Sequence, residues 1–232
     1  MVSRFKKSAL TVLSNGKRLV DEVEYLRYEK PPSTAYFLII LAQEELAKAF
    51  LFALVYRGVI PWSKHILRAS QDHRCKQLLF LVMDYLNPDD DEFLKRMDIV
   101  VIHKQPRVVP KKISDAINIL RYEKIGRWES NCWFWAEDPN WDTEALSVAD
   151  GSLDRVKQDS IYVRLGRDGS VLNTPANNDL SRLEDEIDCA KRMAELVASV
   201  IDHDRAPGLD WEKVEKIFRL LFTKSKDVKD CA

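Results

Sequence analysis

Apolar residues recur at helical spacing through residues 4 to 29, at Leu10, Leu13, Leu19, Val20, Val23 and Leu26, and the spacing predicts a first helix that Pro31-Pro32 ends. The next stretch, AYFLIILAQEELAKAFLFALVY (residues 35 to 56), is different. Eight apolar or aromatic residues stand on each side of a polar centre made of Gln43, Glu44, Glu45 and Lys48. Ser33 can cap this second helix, and Gly58 and Pro61 interrupt it after Tyr56. A third helix is expected from about Trp62 to Leu86, before Asn87-Pro88-Asp89-Asp90-Asp91 breaks the pattern. The short connections imply antiparallel neighbours.

Beyond residue 87 the pattern is less regular. Helices are expected over about 90–103, 112–126 and 143–159, then over about 178–202 and 210–222. Between them SIYVRLGRDGSVLNTP, with Gly166, Asp168-Gly169 and Pro175, predicts a short hairpin or extended excursion. The fold class expected is therefore an all-α helical bundle with additional C-terminal helices and that one excursion. The expected organisation is a helical core over residues 1–126, with residues 127–232 supplying a tryptophan-rich segment, the excursion and C-terminal helices that pack on the same core.

Residues 35 to 56 are long enough to span a bilayer, which takes about 20 residues. Glu44, Glu45 and Lys48 would then sit near the midplane, at roughly 2.5–3.5 kcal/mol for each charge. A central helix surrounded by other helices is the better reading, with no membrane partner. Composition agrees with helices: there are only 7 glycines in 232 residues. Lys plus Arg number 36 against 37 Asp plus Glu, so no global charge favours nucleic acid or an anionic membrane, and any such site has to be local. Cys75, Cys132, Cys189 and Cys231 form no C-x-x-C pair, which suggests a reducing compartment, and the polar amino terminus lacks a signal-peptide core. A cytoplasmic protein is expected.

The charges inside the second helix need partners. At 100° per residue Glu44, Glu45 and Lys48 share an arc about 100° wide, while His65, Arg68, Asp72, His73 and Lys76 share one about 140° wide on the third helix. Antiparallel packing would turn Arg68, His73 and Lys76 towards the two glutamates. A purely structural network is one reading, since Glu44/Lys48, Arg68/Asp72 and Asp72/Lys76 all have i,i+4 spacing. A functional site is the other, because burying ion pairs in an apolar helix costs desolvation energy.

Arg68 and His73 form R-x4-H, a spacing suited to RNA: histidine can deprotonate a ribose 2′-hydroxyl and arginine can hold the phosphate. Such cleavage needs no metal and no cofactor. On a straight helix the two would lie about 140° apart, so they could meet on one phosphate across a broad groove, at a bend or in a dimer. His103 and His203 are isolated, Asp89, Asp90, Asp91 and Glu92 read as a helix start, and no phosphate-loop or H-E-x-x-H pattern occurs. RWESNCWFWAEDPNWD holds four of the six tryptophans and reads either as an aromatic plug or as a stacking or partner surface.

SALTVLSNGKRLVDEVEYLRYEKPPSTAYFLIILAQEELAKAF (residues 8–50), with its Glu44-Glu45-Leu46-Ala47-Lys48 centre, resembles the opening of AbiV-type abortive-infection proteins of the HEPN superfamily. The resemblance continues at His73-x-x-Lys76 and at Tyr162-Val163 before Gly169 and Pro175. Ala47 stands where glycine is common, and no acidic residue follows Tyr162-Val163. It implies a HEPN-like all-helical fold, often dimeric, in an antiphage protein whose activated form cuts RNA or blocks translation. His73 and Arg68 would then be catalytic, Glu44, Glu45, Lys48, Asp72 and Lys76 would support them, and RNA and a phage or host activator or inhibitor would be partners. The alternative is a non-catalytic module that binds a phage or host protein.

Overall fold

The computed structural model describes residues 2–87, 111–120, 141–177, 181–202 and residue 218. Helix α1 (Val2–Leu26) and α2 (Ser33–Tyr56) form the antiparallel pair with the most extensive contact among the described elements. α1 is a one-sided helix, burying Ala9, Leu13, Leu19, Val20 and Val23. Gly16 faces α2, where a Cβ would stand 2.9 Å from Leu46 Cδ2, so the absence of a side chain lets the backbones approach. α2 is buried on nearly every side, from Ala35 and Ile39 to Phe50 and Leu54. That all-round burial is what its uniformly apolar flanks require. Among the described residues no helix is long and apolar enough to cross a membrane.

Ser33 does not cap α2. It is the first helical residue, Pro32 holds the cap position without a side-chain bond, and the Ser33 hydroxyl donates to Pro175 O at 2.9 Å. The expected third helix over residues 62–86 is in fact two: α3 (Lys64–Ala69) and α4 (His73–Leu86). Competition from side chains explains the break. Asp72 Oδ1 accepts from the Cys75 amide at 2.9 Å and starts α4 afresh, while at the far end of α3 Ser63 Oγ accepts from the Ile66 amide and caps that helix.

α5 (Lys111–Ile119) begins one residue before the expected 112–126 helix, of which residues 121–126 lie outside the described residues. The helix expected over 143–159 is likewise divided, into α6 (Thr143–Asp150) and α7 (Ser152–Asp159), at Gly151 with φ 88°. The left-handed conformation ends α6 and turns the chain into α7. Strands β1 (Arg164–Leu165) and β2 (Val171–Asn173) make the antiparallel hairpin, closed through Gly169 with φ 82°. α8 (Leu183–Asp202) begins later than the expected residue 178 and lays Ile187, Ala190, Met193, Val197 and Val200 against α2 and α1. The expected helix over 90–103, Trp128, Trp133 and Trp135, and most of the expected helix over 210–222 lie outside the described residues. Trp141 packs against the core, and Phe218 meets Phe50 edge-on at 5.4 Å between ring centroids.

Candidate functional site

Glu44 sits at the middle of α2 with 1% of its surface exposed, and four side chains converge on its carboxylate. From α4, His73 Nδ1 lies 2.6 Å and Lys76 Nζ 3.0 Å from Oε2, while Gln77 Nε2 donates to Oε1 at 2.9 Å. From α7, Lys157 Nζ donates to Oε1 at 2.7 Å and also pairs with Asp154 Oδ1 at 2.8 Å. The H-x-x-K spacing acquires a physical meaning here. Positions three apart on α4 share a face, and both reach the same carboxylate oxygen.

Burial pushes the Glu44 carboxyl up, but the hydrogen bond from Lys157, the charge of Lys76 and the bond to His73 outweigh it and hold the pKa below the ordinary carboxylate value. Burial opposes the charge on Lys157 in the same way, and its bonds to Asp154 and Glu44 raise its pKa in spite of that. Two carboxylates, Glu44 and Asp154, thus balance two ammoniums, Lys76 and Lys157. An ionised carboxylate can only accept, so His73 Nδ1 carries the hydrogen of that bond. The ring is then oriented by Nδ1, and its Nε2 is left as acceptor in the neutral ring or donor in the charged one. His73 is suited to meet a ligand, since 55% of its side chain is exposed.

Glu44, His73 and Asp154 offer ligand atoms within 4.8 Å of one another. The position a divalent ion would take among them is filled: Lys157 Nζ stands 2.7 Å from Glu44, 2.8 Å from Asp154 and 3.2 Å from His73 Nδ1. A metal would have to displace that ammonium.

Glu45 and Lys48 belong to a different network. Lys48 pairs with Glu45 Oε1 rather than with Glu44, and Asn15 of α1 donates to Glu45 Oε2 at 3.0 Å. Neighbouring glutamates point apart because one residue turns a helix by 100°. The Asp72 carboxylate accepts from the Cys75 amide, caps α4 and thereby places His73 in the first turn. Arg68 lies exposed on α3, just before the break, so the angular separation reckoned for one straight helix does not apply to it and His73.

Lys157, Asp154, Gln77 and Asn15 were not singled out by sequence reasoning. SLDRVKQD shows Asp154 and Lys157 as an ordinary i,i+3 pair, and nothing in that spacing points to a glutamate 113 residues earlier. Tyr162 and Val163 stand exposed beside the hairpin, away from any bond to Glu44.

No curated protein and no solved structure matches the chain. A family model does: residues 5–195 match the AbiV family of HEPN domains, a stretch that takes in α2, α4 and α7 and so every residue of the Glu44 cluster. An all-helical body with a buried glutamate facing His-x-x-Lys is thus the form taken here by a protein that belongs to the AbiV family of the HEPN superfamily.

Proposed function

We propose that the protein is an abortive-infection effector that cleaves RNA without a metal, with His73 as its acid-base group. Family membership supports the antiphage role. The observation that carries the chemistry is an exposed imidazole whose Nδ1 is held at 2.6 Å by a buried, charge-balanced carboxylate. A carboxylate so placed keeps the ring in one tautomer and stabilises the imidazolium that forms when Nε2 takes a proton. His73 would remove the 2′-hydroxyl proton, the 2′-oxygen would attack phosphorus, and the 5′-oxygen would leave with a proton from a second acid. In a homodimer, the other copy's imidazolium supplies it. Arg68, on the exposed side of the α3–α4 elbow, would hold the phosphate.

The test is incubation of total RNA and tRNA with wild type and His73→Ala in EDTA, with mass spectrometry of the ends. Products ending in 2′,3′-cyclic phosphate from wild type alone are expected. Equal cleavage by a folded His73→Ala protein would remove the imidazole from the chemistry.

A second reading has its own observation. Tyr162, Val163, Leu165, Val171 and Leu172 are 54–65% exposed on and beside the hairpin, an apolar surface of the kind used for protein contacts. On that reading the Glu44 network only fixes the packing of α2, α4 and α7, and the hairpin binds a phage or host protein. Leu165→Ser with Val171→Ser would then abolish protection against phage while His73→Ala leaves it intact.

A further inference from the structure

A cavity opens beside the Glu44 cluster, with Gln77 in its lining. It has a volume of about 870 Å³ and lies between α4, the α6–α7 elbow and α8. That is ample for a small organic molecule, since ligand sites commonly run to ~300–1,000 Å³. Its lining carries five carboxylates, Asp84, Glu144, Asp185, Glu186 and Asp188, against two guanidiniums, Arg182 and Arg192. Arg192 is committed to Asp84 at 2.6 Å. Arg182 reaches Glu186 only at 3.4 Å and Glu144 at 3.9 Å, and is itself exposed.

Glu186 is the most informative of these groups. Its carboxylate accepts from Gln43 Nε2 at 2.7 Å, a neutral donor, and burial raises its pKa against the opposing effects of Gln43 and Arg182. Glu44, one residue along α2 from Gln43, is lowered because two ammoniums reach it. Among the described residues Glu186 has one guanidinium, Arg182 at 3.4 Å, where Glu44 has two ammoniums at 2.7 and 3.0 Å. Gln77 adds an independent sign. It lines this cavity, is 3% exposed, donates its amide to Glu44, and leaves its carbonyl oxygen without a partner. Buried acceptors of this kind are normally satisfied. Between the acids lie Phe80, Leu81, Leu153 and Val156, which offer apolar surface.

Excess carboxylate, an under-compensated buried acid, an unsatisfied acceptor and interleaved apolar walls specify one ligand chemistry: several N–H-bearing cations joined by methylene segments. We propose that this cavity binds a linear aliphatic polyamine, with Glu186 and Asp188 receiving its ammonium groups. The site is independent of RNA cleavage, although Gln77 both lines the cavity and bonds to Glu44, and Val156 adjoins Lys157 on α7.

The test is calorimetric titration of the full chain with spermidine at physiological salt, beside MgCl2 at matched ionic strength. Saturable one-to-one binding of spermidine is expected, weakened about tenfold in Glu186→Gln, the scale of one lost charge-assisted hydrogen bond. Glu186→Gln keeps an acceptor for Gln43, and Asp188→Asn alters an exposed side chain, so a loss in both folded variants reports the ligand rather than the fold. Unchanged affinity in both variants, or full displacement of spermidine by Mg2+ at matched ionic strength, overturns the proposal. Neither outcome depends on the protein cutting RNA.

Discussion

At Glu44 the balance of opposing effects is visible in a single side chain. Removing one member of a buried ion cluster leaves the others uncompensated, which typically costs ~3–5 kcal/mol. Glu44→Gln strands Lys76 and Lys157, and we expect a loss of that size in urea unfolding. The same carboxyl ties stability to pH. Its folded pKa lies below the ordinary 4.5, so its contribution is fully present above about pH 4.5 and is lost as pH falls through the folded value. Acid unfolding of wild type is therefore expected to be steeper below pH 4.5 than that of Glu44→Gln, read by circular dichroism across a pH series. His73→Ala removes an exposed ring and should change stability far less than Glu44→Gln while abolishing any cleavage. Glu44, His73 and Lys76 were legible in the sequence because polar groups on apolar helices advertise a need for partners. Lys157 was not, because an i,i+3 pair on a short polar helix looks like any solvated surface.

Two helix breaks decide where those side chains stand. Asp72 starts α4, and the first turn it creates carries His73 to Glu44. Asp72→Ala removes the cap and is expected to cost ~1 kcal/mol. It should also reduce cleavage by more than that stability loss explains, since the capped turn is the one that presents the imidazole. Gly151 has the second role. Its φ of 88° disfavours a side chain, and a Cβ there would stand 2.8 Å from the Arg74 guanidinium, which donates to Ala149 O. Gly151→Ala is expected to lose ~1–2 kcal/mol, the cost of a left-handed residue with a Cβ, and to loosen α7 with Lys157 on it. Hydrogen exchange at α7 amides, faster in the variant, is the measurement. Continuous apolar periodicity hid both breaks in the sequence: 62–86 and 143–159 each read as one helix because packing continues on both sides of the bend.

For the whole molecule, α2 is the axis on which the rest is assembled. α1, α4, α7 and α8 all contact it, and Phe50 at 0% exposure meets Phe218 from the far end of the chain. Phe50→Ala is expected to cost ~3–5 kcal/mol, as large aromatic truncations in packed cores do, and to lower the melting temperature of the entire domain in one transition. The homodimer that would bring two imidazoles to one phosphate makes a separate demand. Light scattering should give twice the chain mass of 26.9 kDa for the RNA-cutting form, and a monomer with full activity would rule out the shared site.

Periodicity and composition by themselves determined that the chain is helical, that residues 35–56 form a buried central helix, that a hairpin interrupts the C-terminal half, and that Glu44 and its neighbours need counter-charges. These follow from local rules of spacing and burial. Only the tertiary structure decided which counter-charges arrive. Glu44 takes His73 and Lys76 from α4 and Lys157 from α7, Glu45 turns instead to Lys48 and Asn15, and Asp72 is spent on a cap. Such pairings depend on rotation about each helix axis and on where bends fall, and a turn of one residue, 100°, is enough to exchange one partner set for another.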